Sequence, residues 1–133
     1  MKSLLGVWTL LFVNYTVDPN IVPYYGPKTV GRIIITPTHF SATITDLNRT
    51  IPLPPGQSWR NGSDDVIGPN ARPAVAYAGP YRVETTDGGE VLTHTNVKAS
   101  LNPGWQDTDQ VRLVEWKEYQ GREVLSLWPI RVS

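Results

Sequence analysis

The stretch AVAYAGPYRVE (74–84), TTDGG (85–89) and EVLTHTNVKAS (90–100) decides the fold. Two runs with strand periodicity flank Asp87-Gly88-Gly89, a turn sequence that joins antiparallel strands as a hairpin. In the first run Tyr77, Gly79, Tyr81 and Val83 fall on one face, and Ala76, Ala78, Pro80 and Arg82 on the other. Working outward, the same period predicts strands at 6–17, 29–36, 39–46, 109–118 and 122–132, with tight breaks at Thr36-Pro37-Thr38 and Tyr119-Gln120-Gly121. Seven or eight strands in a single domain spanning residues 1–133 predict an all-β antiparallel barrel or sandwich. Closure into a barrel would remove the exposed edges.

Composition agrees with this reading. Val, Ile, Thr, Tyr, Phe and Trp number 48, against 20 for Ala, Glu, Lys, Gln and Met, a balance that favours strands over helices. Twelve Pro and 11 Gly interrupt every candidate helical window, so no helix longer than about three turns is expected. Twelve basic and 12 acidic side chains cancel, which leaves no electrostatic footprint for nucleic acid. Without cysteine there is no disulfide framework or thiolate nucleophile, a composition that suits a reducing, cytoplasmic setting.

Lys2 and the apolar residues from Leu4 to Val13 superficially resemble a signal peptide. Gly6, Trp8 and Thr9 interrupt the run, no small-x-small cleavage pattern follows Val13, and the run is too short to cross a bilayer. Membrane association is therefore not expected. Asn14-Tyr15-Thr16, Asn48-Arg49-Thr50 and Asn61-Gly62-Ser63 fit the glycosylation sequon, which has meaning only for a secreted chain. Two long connections, 18–28 and 51–73, lie outside the strand pattern. The second is rich in Pro and Gly, with Trp59 as its large apolar anchor, and reads either as a lid over the barrel mouth or as a mobile surface loop.

Leu5-Gly6-Val7-Trp8-Thr9-Leu10 resembles the Gly-x-Trp opening of calycin barrels. Further matches are Pro23-Tyr24-Tyr25-Gly26-Pro27, Val30-Gly31, Thr36-Pro37, Tyr77-Ala78-Gly79-Pro80-Tyr81, Thr93-His94, Ser100-Leu101-Asn102-Pro103-Gly104-Trp105 and Thr108-Asp109-Gln110-Val111-Arg112. In this order and spacing they resemble the lipocalin-like domain family of bacteria and fungi, from Leu5 to Leu127 except for 51–73. There, related chains often carry a short helical segment, whereas Pro and Gly dominate here. The resemblance implies a closed or nearly closed barrel of about eight strands with a central ligand cavity. Some fungal members lie in natural-product pathways, where such barrels serve as cofactor-free isomerases or cyclases.

In such a barrel, inward and outward side chains alternate along each strand. The resemblance turns Trp8 inward with Leu10, Phe12 and Asn14, whereas the residues alone leave the register open, since Val7, Leu11 and Val13 are apolar too; it also offers Arg112 or Arg131 as a cation packed across Trp8. On the strand 90–100, Leu92, His94, Asn96, Lys98 and Ser100 share the more polar face, which looks either to solvent or into a polar cavity. In the second case His94 is the residue suited to proton transfer near neutrality. Tyr77 and Tyr81 flank Gly79 and either pack or orient a ligand through their hydroxyls. Trp105, in a connection, would cover the barrel mouth. His39, beside a turn, reads as a strand-end surface residue.

The candidate catalytic residues are thus His94, Tyr81 and Arg112, and the candidate ligand contacts Tyr25, Trp59, Tyr77, Asn96, Trp105 and Trp116. Nucleophile-elbow, zinc-protease and dinucleotide motifs are absent, and Gly26-Pro27-Lys28-Thr29 lacks the upstream glycine of a phosphate loop. Two histidines 55 positions apart, without cysteine, give little support for zinc, although carboxylates could complete a site, and no metal is expected. Three functions fit: a cofactor-independent isomerase or cyclase for a small lipophilic natural-product intermediate, a noncatalytic carrier of such a molecule, or a β-module for protein interaction. Self-association into a homodimer is left open.

Overall fold

The computed structural model describes residues 3–11 and 28–129. Its strands are β1 (Gly6–Thr9), β2 (Thr29–Ile35), β3 (His39–Asp46), β4 (Val75–Thr86), β5 (Gly89–Val97), β6 (Ala99–Ser100), β7 (Thr108–Tyr119) and β8 (Arg122–Pro129). They form one antiparallel sheet in the order β1-β2-β3-β4-β5-β7-β8, with β6 added beside β4. The succession of antiparallel strands predicted from periodicity is therefore present. Tyr25, with the remainder of 12–27 and 130–133, lies outside the described residues.

Turn chemistry explains the connections. Gln120 and Gly121 take φ of 52° and 75°, the pair of positive values that a tight β7–β8 hairpin needs, and Gly89 at 120° opens β5. Gly31 is needed for a different reason: a Cβ there would meet the Thr43 carbonyl oxygen at 2.7 Å, so the close β2–β3 approach admits no side chain.

The inner face follows from the registers. Ile33 and Ile35 on β2, Phe40 and Ala42 on β3, Tyr77 on β4, Leu92 and His94 on β5, and Val114 on β7 share one side and carry most of the core. Leu92 is wholly buried. The sheet curls as a half-barrel, which brings Trp8 of β1 against Trp116 of β7 with ring centroids 5.7 Å apart. Among the described residues β1 and β8 make no ladder with each other, so the two ends meet through side chains rather than through the strand pairing expected of a closed ring.

The segment 51–73 differs from the expected loop. Its second half is a helix, α1 (Asp64–Ala71), despite Gly68 and Pro69 within it. Asp64 and Asp65 occupy its first turn, where carboxylates favour the helix dipole. Asn70 clamps the helix to the incoming chain, accepting from Ile51 N at 2.8 Å and donating to its carbonyl at 3.0 Å. Pro69 has no N–H to donate back to the first turn, and the two bonds between Asn70 and Ile51 offset that loss. Trp59 precedes the helix and is 51% exposed, so the anchor expected in this segment is a surface side chain. Among the described residues no helix is long and apolar enough to cross a membrane.

Candidate functional site

Neighbouring strands assemble an aromatic row on the inner face. The register pairs Ala42 with Tyr77, Phe40 with Gly79, and Tyr81 with His94, which brings β3, β4 and β5 side chains together. The His94 ring lies 3.8 Å from Phe40, centroid to centroid, and 5.2 Å from Tyr77 at 89°. Trp105, at the end of a short 3-10 turn (Pro103–Trp105), meets Tyr77 edge-on at 5.0 Å. Phe40 also meets Tyr77, at 5.1 Å and 64°, so Phe40, Tyr77 and His94 pack mutually and Trp105 extends the row beyond Tyr77. Gly79 leaves room beside it, because a Cβ added there would find its nearest neighbours, Phe40 and the Thr95 carbonyl, only at 4.0 Å.

His94 is 0% exposed, and neither ring nitrogen has a hydrogen-bond partner. Leaving a buried polar group unpaired costs about 1–3 kcal/mol. Burial, then the nearby Arg112 guanidinium, lowers its pKa to about 3, so the ring is neutral at pH 7. Burial raises the Tyr77 pKa, and Arg112 partly opposes that rise. Arg112 stands opposite Leu92 on the inner face of β7, and its Nη1 donates to the Val111 carbonyl at 3.0 Å. Among the described residues, no group of three His, Cys, Asp or Glu is arranged to hold a metal ion.

Three candidate residues are placed differently from expectation. Asn96 does not share the His94 face. A β-bulge between His94 and Val97 breaks the alternation, so Val97 turns inward and Asn96, at φ 45°, turns out to solvent. Its backbone N–H, freed from the ladder, donates to Asp109 Oδ1 at 2.8 Å. Tyr81 sits on the inner face by register, yet its hydroxyl donates to the Thr36 carbonyl at 2.7 Å, a latch on the β2–β3 turn rather than a free donor. Trp116 packs on Trp8, at the seam of the curl. Arg131 lies outside the described residues, and the ring partner seen for Trp8 is Trp116.

The comparison with protein families decides the class: the model of the lipocalin-like domain matches residues 5–131. The chain belongs to the lipocalin-like domain family. No curated protein and no solved structure matches it. A lipocalin-like domain supports a small-molecule binding cavity. A shallow depression of about 490 Å³ also lies on the other side of this lipocalin-like sheet, lined by Val30, Arg32, Ile34, Ser41, Thr43 and Thr45 among others. It contains none of the candidate residues and no nucleophile–base pair. Phe40 was missed by sequence reasoning, although its place one residue after His39 on an alternating strand puts it on the face opposite that surface histidine.

Proposed function

We propose that the protein is a cofactor-independent isomerase or cyclase that holds a small lipophilic molecule on the inner face of the half-barrel. The observation that carries this reading is His94, an imidazole fully buried among aromatic rings with both nitrogens unpartnered. Such a group is costly in the empty protein and becomes useful when a bound molecule supplies the missing partner.

Phe40, Tyr77 and Trp105 hold a flexible substrate in a reactive shape, a contribution of orientation rather than of bond chemistry. The Tyr77 hydroxyl and the Arg112 guanidinium polarise a carbonyl or hydroxyl. Neutral His94 accepts one proton at a ring nitrogen and returns it to a different atom of the same molecule, so the reaction consumes no co-reactant. A pKa of about 3 makes the free imidazole a weak base. Negative charge developing on the substrate beside it raises that value and strengthens the acceptor as the proton moves.

The same low pKa favours a second reading, a carrier in which His94 only accepts a hydrogen bond from its ligand. Native mass spectrometry against a metabolite extract, followed by a search for altered isomers, identifies what binds. Turnover by the parent should fall 10²- to 10⁴-fold in His94→Ala and His94→Gln if the residue moves a proton. Loss of a hydrogen bond alone costs a carrier about tenfold in affinity. An active parent whose rate survives both substitutions removes His94 from the mechanism, and binding without conversion leaves the carrier.

A further inference from the structure

Arg112 places a permanent cation on the inner face of β7, next to two groups that carry no charge at neutral pH. Its register partners across the sheet are Leu92 on β5 and Pro129 on β8, and His94 and Tyr77 are the polar side chains its charge acts on. Ion pairs among the described residues join Arg49 to Asp46, Arg82 to Glu84, Lys98 to Asp107 and Lys117 to Glu115. Among the described residues no carboxylate pairs with Arg112. Of the five N–H donors of a guanidinium, one has the Val111 carbonyl and another is directed at the Tyr77 hydroxyl, which leaves the remainder for a ligand. A half-buried cation without a counter-ion is unfavourable unless water or a ligand completes it. His94 beside it has both ring nitrogens unpartnered in the fully buried state.

We infer that the ligand of the inner face is a small unsaturated organic acid, its carboxylate seated on Arg112 and its apolar body against the Phe40–His94–Tyr77–Trp105 row. This deepens the proposed function and rests on it. An anion satisfies the free donors of Arg112 in the fork geometry that guanidinium and carboxylate share. The rings of Tyr77 and Trp105, which meet edge-on, offer apolar faces and edges that suit an unsaturated framework. A neutral lipid lacks the group that Arg112 requires.

The test is a matched pair, 2-naphthoate and its neutral isostere 2-naphthamide, titrated at pH 7.5 by tryptophan fluorescence and calorimetry. Naphthoate should bind roughly 10- to 100-fold more tightly, the worth of a charge-assisted pair of hydrogen bonds. In Arg112→Gln that preference should vanish, and Arg112→Lys should keep part of it. Circular dichroism and thermal melts check that both variants fold, and if Arg112→Gln does not, salt dependence of naphthoate binding by the parent takes its place. Equal affinities in the parent, a preference that survives Arg112→Gln, or naphthoate binding by the parent that salt does not weaken overturns the inference and leaves the small-molecule reading standing. Failure of both compounds to bind at millimolar concentration overturns both together.

Discussion

The two histidines of this chain sit one strand apart and have opposite surroundings. His39 opens β3 at the rim, exposed, with its Nδ1 2.7 Å from Thr38 Oγ1. His94 lies on the floor of the half-barrel, wholly buried and without a hydrogen-bond partner. The link between them is Phe40, which follows His39, turns inward and stacks on His94. One step along β3 therefore separates a solvated imidazole from the ring that covers a desolvated one, and strand parity rather than residue type assigns the role.

The floor should be the part whose alteration matters most. Leu92→Ala, at a wholly buried position next to His94 in the same strand, is expected to cost about 2–5 kcal/mol in denaturant unfolding; a loss near zero would mean that the floor is not packed. Acid gives the next effect. The folded His94 pKa of about 3 lies below the ordinary 6.5, so between these values the unfolded chain takes up a proton that the native chain refuses. Stability is full above about pH 6.5 and falls by on the order of a few kcal/mol as the pH drops toward 3. His94→Gln should remove that component of the slope, and an unchanged slope would show that the imidazole is hydrated in the native state.

Smaller effects belong to the rim. Tyr81→Phe removes the hydroxyl that latches the Thr36 carbonyl and should lower stability by about 0.5–1.5 kcal/mol without abolishing ligand binding. If it removes binding or turnover altogether, Tyr81 belongs to the site after all. His39→Ala should change stability by no more than about 0.5 kcal/mol, as surface substitutions do. A larger loss would erase the contrast between the two histidines.

Most of the sheet was legible in the chain because period-two alternation and turn residues act locally. Thr29–Ile35, His39–Asp46 and the hairpin at Gln120-Gly121 follow from that signal alone. The bulge after His94 was not legible. Thr95-Asn96 contains no glycine to mark it, and only the tolerance of Asn for a left-handed conformation hints that alternation breaks there. That single irregularity moved Asn96 out of the candidate site. Helix α1 escaped for the opposite reason: Gly68 and Pro69 argue against a helix, while Asn70 holds it in place through a contact with Ile51 that is distant in sequence. The aromatic row was half legible. Tyr77 and Trp105 could be named from the chain, but Phe40 joins them through the β3–β4–β5 register, which no local pattern states.

The bulge also governs where this chain can change length. Between His94 and Val97 the strand β5 takes three steps while β7 takes two, from Gln110 to Thr108. Loss of Asn96 would equalise the two counts and keep both His94 and Val97 facing the ligand side. Loss of Thr93, three positions earlier, would turn His94 to water and hand its place to a neighbour. A one-residue deletion is therefore nearly silent at one point of this strand and ruinous at another. In a set of such barrels aligned by length, a gap at Asn96 leaves His94 comparable across the set, while a gap placed before it does not.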